Sequence, residues 1–148
     1  MPEIEYLILA NHAEAVNGLI YVSGGGWTEH WRQAPPDGPP APSNFGIAVS
    51  ILVPWTETNR PHHLVVKIES EDGGEPILRV DGDLETGRPP GVPRGSDQRS
   101  ALALNANISF PRSGGYRLMA EVGGSAKSVP FRVHDQPGIG NAQPPKGD

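Results

Sequence analysis

Five histidines are the first residues of this chain that suggest chemistry, because imidazole nitrogens bind zinc and exchange protons near neutral pH. They are His12, His30, His62, His63 and His134. Neither an HExxH motif nor a His-x-His pair occurs among them. His62 and His63 are adjacent on a predicted strand, so their side chains should point to opposite faces. The pattern favours histidines on loops and surfaces, and we expect no functional metal site.

A group of carboxylates between residues 69 and 85 is the second candidate. Calcium-binding sandwiches collect such side chains on loops at one end, and Asp81 and Asp83 share one face of a predicted strand. The turn at Asp72-Gly73-Gly74, however, lacks the spacing of an EF-hand loop. A solvated hairpin carries the same residue types, and we favour that interpretation over calcium binding. The group comprises Glu69, Glu71, Asp72, Glu75, Asp81, Asp83 and Glu85.

The segment GGGWTEHWR (24–32) places a run of glycines before Trp27 and Trp31. A glycine-rich phosphate site needs a helix directly after the glycines and usually a basic residue. Here the tryptophans follow, and then a proline-rich loop. We expect the glycines to bend the chain away from a strand and the tryptophans to cover an edge of the core. The less favoured alternative is that one or both tryptophans are exposed anchors for a partner.

A stiff loop at GRPPGVPRGSDQR (87–99) carries Arg88, Arg94 and Arg99 among prolines. Because such a loop is already extended, it loses little conformational entropy when it docks on a partner. The same stiffness suits a long crossover between two sheets, where it limits the entropy of the loop. The sequence favours neither interpretation over the other.

Several function classes are disfavoured by composition. The chain has no cysteine and no G-x-S-x-G elbow, so we expect no catalytic apparatus and no cofactor. A net charge of −5 with scattered arginines disfavours nucleic acid and anionic membranes as partners. The apolar stretch at 6–10 is too short for a signal peptide, and no apolar run is long enough for a membrane helix. We therefore expect a cytoplasmic protein.

The elements that must position these residues are strands, because apolar and polar residues alternate along most of the chain. The clearest case is residues 45–53, where Phe45, Ile47, Val49, Ile51 and Val53 share one face. The pattern predicts a single all-β domain, an antiparallel two-sheet sandwich that is immunoglobulin-like or related. About eight strands are expected, at 4–13, 19–23, 45–53, 64–68, 77–84, 102–108, 116–122 and 129–133. A turn at Asn17-Gly18 should join the first two.

Glycine and proline mark the loops and the end of the domain. The chain has 19 glycines and 17 prolines, concentrated at 34–43, at 87–96 and after Asp135. We expect the first two segments to be loops on a folded domain that spans residues 1–135. The remaining residues, 136–148, contain a single sizeable aliphatic side chain, Ile139, so a disordered tail is expected there.

The last predicted hairpin contains a tyrosine in a distinctive position. Tyr116 follows the Gly114-Gly115 corner and resembles the corner tyrosine of immunoglobulin-like sandwiches, whose hydroxyl bonds nearby backbone. Its ring should face the core, with Arg117 on the opposite face. Pro130 suits an edge strand, since proline cannot donate to a strand ladder.

Four motifs in a fixed order resemble a family of small bacterial proteins of uncharacterised function. They are NHAEAVNGLIYVSGGGW, VPWTETNRPHHL, GRPPG and the closing GGYR and VPFRV segments. The resemblance covers roughly residues 4–134 and implies a compact β-sandwich. It implies no activity and no catalytic residues.

These observations lead to a functional hypothesis of a non-catalytic protein-interaction or assembly module in a bacterial cytoplasm. Its partner would be another protein or a second copy of the chain. The expected contact residues lie on predicted loops or strand ends and are Trp27, Trp31, Trp55, Arg88 and Arg94. The alternative is a sandwich that binds a small ligand or carbohydrate and uses the tryptophans as stacking platforms.

Overall fold

A computed structural model describes residues 1–137, which form ten β-strands and one turn of 3-10 helix at Trp55–Glu57. The strands are β1 (Glu3–Ala10), β2 (His12–Val16), β3 (Leu19–Ser23), β4 (Glu29–Ala34), β5 (Ser43–Val53), β6 (Pro61–Ser70), β7 (Leu78–Glu85), β8 (Gln98–Ile108), β9 (Gly114–Val122) and β10 (Ser125–Pro137). Within this part of the chain, no helix has the length and apolar character needed to cross a membrane.

Two sheets enclose the core. One has the order β1-β5-β8, and the other has the order β4-β10-β9-β6-β7. Side chains from both inner faces interdigitate, including Leu9 and Ile47 from the smaller sheet and Val66, Leu118 and Val133 from the larger one. The predicted all-β sandwich is therefore confirmed, and the alternating residues of β5 do face this core.

Two details differ from the predicted strand list. The expected strand at 4–13 is divided at Asn11, whose backbone N–H lies 3.0 Å from the carbonyl oxygen of Ser23. The strand β4 was not predicted, and it pairs in parallel with β10, so the larger sheet is not wholly antiparallel. Its inward positions include polar residues such as Arg32, which is 5% exposed. These polar residues hide the apolar alternation on which the prediction depends.

The buried position of Arg32 is explained by its hydrogen bonds. Its Nε donates to Oδ1 of Asp135 at 2.6 Å, and its Nη1 donates to the carbonyl oxygen of Phe110, also at 2.6 Å. A buried guanidinium needs such partners, because desolvating an unpaired charge is costly. The pair joins β4 to the end of β10.

The hairpin of β2 and β3 packs on the outer face of the smaller sheet. Its turn is the predicted one, with φ of 52° at Asn17 and 78° at Gly18, as a two-residue hairpin of type I′ requires. The Asn105 side chain accepts from the Ala13 N–H at 3.1 Å and donates to the Ala13 carbonyl at 2.7 Å. A Cβ at Gly46 would lie 2.5 Å from the nitrogen of Ala13, so the hairpin backbone lies directly against β5.

The predictions for Tyr116 in the last hairpin are confirmed. Tyr116 is buried, and its hydroxyl donates to the carbonyl oxygen of Arg112 at 2.6 Å. Pro130 pairs with Arg117 of β9, and β4 joins β10 only from Arg132 onward. The strand β10 lies between β4 and β9, so the prediction of an edge strand is wrong. At Pro130 itself β10 has a single neighbour, which suits a residue without an N–H donor.

The end of the described chain bears on the predicted boundary after Asp135. The strand β10 continues through Pro137, and Gln136 is buried, with its Oε1 accepting from Nε2 of Gln33 at 3.1 Å. The predicted tail from residue 138 onward lies outside the described residues.

Candidate functional site

The five predicted contact residues lie at opposite ends of the sandwich. Ser43, at the start of β5, contacts His30 near Trp27 and Trp31, whereas Trp55 lies two residues after the end of the same strand. An eleven-residue strand spans about 35 Å. The predicted residues therefore do not form one continuous surface.

The tryptophans of the first end have different environments. Trp27 is half-buried and packs edge-on against Phe45 and Phe131, with ring centroids 6.0 Å and 5.8 Å away. Trp31 is 49% exposed and stacks on His134 at 4.3 Å. It lies inside β4 and not on a loop, which corrects its predicted position. Trp27 therefore covers an edge of the core, whereas about half of the Trp31 side chain remains exposed to solvent.

Close packing favours glycine at two of the three positions before Trp27, and a φ of 88° favours it at the third, Gly26. A Cβ at Gly25 would lie 2.8 Å from the Val22 side chain, and one at Gly24 would lie 2.3 Å from the Asn11 side chain. The element that follows is the strand β4, so the helix N-terminus of a phosphate loop does not occur here. The glycines allow the chain to pass from the hairpin to the larger sheet.

At the other end, Trp55 and Arg88 bind each other. The Arg88 guanidinium lies 4.1 Å above the Trp55 ring, and its Nε donates to Oγ1 of Thr58 at 2.6 Å. The cation–π contact and the hydrogen bond fix the two side chains together. Arg94 is exposed on the loop between β7 and β8. The stiff loop therefore crosses between the sheets and also presents an exposed arginine.

The adjacent histidines of β6 point to opposite faces, as predicted. Nε2 of His62 lies 2.8 Å from the Glu57 carbonyl, whereas Nδ1 of His63 lies 2.9 Å from Asp83 and its Nε2 lies 3.2 Å from Asp81. Hydrogen bonding to Asp83 is the main cause that raises the pKa of His63. Over residues 1–137, no group of three or more histidine, aspartate or glutamate side chains is placed to hold a metal ion.

His30 has the opposite electrostatic environment. Burial is the main cause that lowers the pKa of His30, and the nearby charge of Arg32 adds to it. Its Nε2 lies 2.7 Å from Oγ of Ser43. A neutral imidazole here joins β4 to the start of β5, which is a structural role.

An apolar surface that the sequence did not predict lies on the β2–β3 hairpin. Val16, Leu19 and Tyr21 are 44%, 61% and 51% exposed. Val16 is opposite Leu19 and Glu14 is opposite Tyr21, so these side chains share the outward face. We call Val16, Leu19 and Tyr21 the hairpin patch. Among the described strands, β3 pairs with β2 alone, so its second edge is open.

Comparison with known proteins identifies the family. The model of a family of unknown function, DUF6941, matches residues 5–134. The chain belongs to this family. The DUF6941 match extends from β1 to β10 and so includes the sandwich, the hairpin and both ends. Among curated proteins, none matches the chain.

The open edge of β3 differs from the edges formed by β7 and β4 in this DUF6941 sandwich. The edge strand β7 carries Arg79, Asp81 and Asp83, and charges of this kind prevent pairing with a foreign strand. At the other end of the larger sheet, the loop after β4 covers part of the β4 edge, since the Ala41 N–H donates to the Gln33 carbonyl. The sequence of β3, LIYVS, has no charge and no proline. The sequence predicted β3 as a strand, but it did not indicate that the face with Leu19 and Tyr21 would be exposed.

Proposed function

We propose that this chain is a non-catalytic protein-binding module of a bacterial cytoplasm, which adds an extended segment of a partner protein to the open edge of β3. The observation that carries the proposal is that β3 is uncharged, open on one side and flanked by the exposed side chains of Leu19 and Tyr21. Sheet edges of this kind recruit strands, because main-chain hydrogen bonds and alternate side-chain contacts form together.

The hairpin register defines which backbone groups the partner would use. In a hairpin with a two-residue turn, Val16 and Leu19 exchange both main-chain hydrogen bonds. The N–H and C=O groups of Ile20 and Val22 then point away from β2. A partner strand would pair with these two residues, and its outward side chains would extend the surface of Leu19 and Tyr21.

The size of the hairpin patch favours strand addition over the packing of two flat faces. A stable face-to-face interface buries about 800 Å² on each partner, and three partly exposed side chains offer much less. Main-chain hydrogen bonds along the edge of β3 supply the missing interactions. The small area of the hairpin patch therefore favours an extended partner segment over a second copy that packs face to face.

The hairpin is also held in place before binding. Asn105 bonds both backbone groups of Ala13, and the β5 backbone at Gly46 lies against the same residue. A fixed edge loses little entropy when a partner docks, so more of the interaction energy appears as affinity.

The carbohydrate alternative has less support. Trp27 packs into the core and Trp55 is covered by Arg88, so Trp31 is the tryptophan with a largely exposed surface within residues 1–137. A sugar site that stacks on several tryptophans does not follow from this arrangement.

The test is selection of binding peptides from a phage-displayed library, followed by amide hydrogen exchange of the protein with each selected peptide. We expect peptides with alternating apolar residues, and slower exchange at the amides of Ile20 and Val22. Protection of β4, β7 or β8 amides in place of those of β3, or a library that yields no binder, would contradict the proposal.

Charge substitutions provide the matched control. Leu19→Lys and Tyr21→Lys should each weaken the peptide at least about tenfold, since a lysine on an edge strand opposes pairing. Ser128→Lys places the same charge on an exposed residue of β10, outside both proposed sites, and should leave affinity unchanged. If a glycan array binds the protein and Trp31→Ala abolishes that binding, the carbohydrate alternative replaces this proposal.

A further inference from the structure

An apolar slot opens between the two sheets on the side formed by β7 and β8. Its volume is about 190 Å³. The apolar walls are Leu64 and Val66 of β6, Val80 and Leu84 of β7, and Leu102 of β8, and the lining is completed by Asp81, Gly82 and Asp83 of β7. Within the described residues, β7 pairs with β6 alone and β8 with β5 alone. The two edges do not pair with each other, so the slot remains open to solvent between them.

The slot exists because Gly82 lacks a side chain. Alternation along β7 places Val80, Gly82 and Leu84 on the face toward Leu64, and Gly82 is directly opposite Leu64. A Cβ at Gly82 would meet nothing within 4 Å, and its φ lies outside the left-handed region. Neither packing nor backbone conformation therefore requires glycine here, although glycine weakens a strand. An apolar residue would fill the space and continue the pattern.

The polar groups near the slot bind each other. Asp83 and Asp81 contact His63 at 2.9 Å and 3.2 Å, and Arg79 lies 3.9 Å from Asp81. Because these charges already have partners, the apolar walls are what the slot offers to a ligand. Apolar cavities of about 150 Å³ accept benzene, whereas sites for whole drug-sized molecules or cofactors occupy about 300–1,000 Å³.

We propose that this slot is a binding site for a neutral small molecule, which inserts one compact apolar group, a single ring or a short branched chain, beside Gly82. The site lies between the two sheets and does not include β3, so it is independent of the proposed strand addition.

The experiment uses toluene as the probe and records carbon–proton methyl spectra of the full chain. We expect saturable shifts of the methyl groups of the walls, Leu64, Val66, Val80, Leu84 and Leu102. Gly82→Val should abolish these shifts and raise the melting temperature by a few degrees, because it fills the slot and favours the strand. Gly82→Ala, a smaller change, should weaken the shifts only partly, which keeps the test decisive if the valine variant does not fold.

Gly38→Val is the matched control, since it adds the same side chain in an open loop and should leave toluene binding unchanged. Toluene shifts at other methyl groups, or shifts that persist in both Gly82 variants, would overturn the proposed site. Benzylamine or benzoate binding more than about tenfold tighter than toluene would overturn the neutral class of ligand, since that ratio is about 1.4 kcal/mol.

Discussion

Tyr116 connects the C-terminal corner to the core. Its ring stacks on Phe131 at 5.9 Å and contacts Phe110 at 4.8 Å, while its hydroxyl bonds the Arg112 carbonyl. The role of the residue was predictable, because glycines before a tyrosine at the start of an alternating strand define both the turn and the inward face.

Removing the hydroxyl with Tyr116→Phe should lower the free energy of unfolding by about 1–3 kcal/mol, because a partly buried acceptor loses its donor. Arg117→Ala, on the opposite face of the strand, should cost about 0.5 kcal/mol or less. Arg117 lies partly exposed beside Glu69 at 3.3 Å. Urea unfolding of both variants measures the contrast, and a larger loss for Arg117→Ala would contradict the assigned faces.

At the scale of elements, Gly46 and Asn105 decide where the β2–β3 hairpin lies. The two residues are opposite each other on β5 and β8, and both contact Ala13 of β2. The glycine allows the backbones of β5 and β2 to approach closely. The Asn105 side-chain amide bonds the N–H and C=O of Ala13, as a neighbouring strand would do. The position of the open β3 edge depends on this contact.

Gly46→Ala should therefore displace the hairpin. The added Cβ would overlap the backbone of Ala13, and overpacking of this kind costs about 1–3 kcal/mol. Thermal or urea unfolding measures the loss, and amide exchange at Ala13 should become faster than in the wild type. Gly38→Ala, in an open loop, is the control with no expected change. Equal stability of the two variants would show that the hairpin does not need this contact.

At the scale of the whole molecule, the end of β10 stabilises the buried arginine of β4. Asp135 is the charge partner of Arg32, and Gln136 bonds Gln33. A chain that ends after Pro137 keeps these contacts and loses only residues 138–148, which contain little apolar surface. A chain that ends after His134 loses the Arg32 partner.

The shorter chain should be less stable by about 3 kcal/mol, since it leaves a buried charge without its partner. The chain ending after Pro137 should melt at the wild-type temperature in a calorimetric scan. Early melting of this longer variant would mean that residues 138–148 stabilise the domain. Wild-type stability of the shorter one would mean that Arg32 finds another partner.

The sequence by itself determined the sandwich, the β2–β3 turn, the corner tyrosine and the opposite faces of His62 and His63. These features follow from local rules, because the side-chain period of a strand and the positive φ of Asn-Gly turns involve only neighbouring residues.

The tertiary structure decided what depends on contacts far apart in the chain. The strand β4 was missed because the charge of Arg32 is neutralised by Asp135, which is 103 positions away. The exposed face of β3 depends on which side of the hairpin packs on Gly46, and the slot beside Gly82 depends on the distance between two sheet edges. Alternation gives two faces to every strand, but only packing selects the face that is buried.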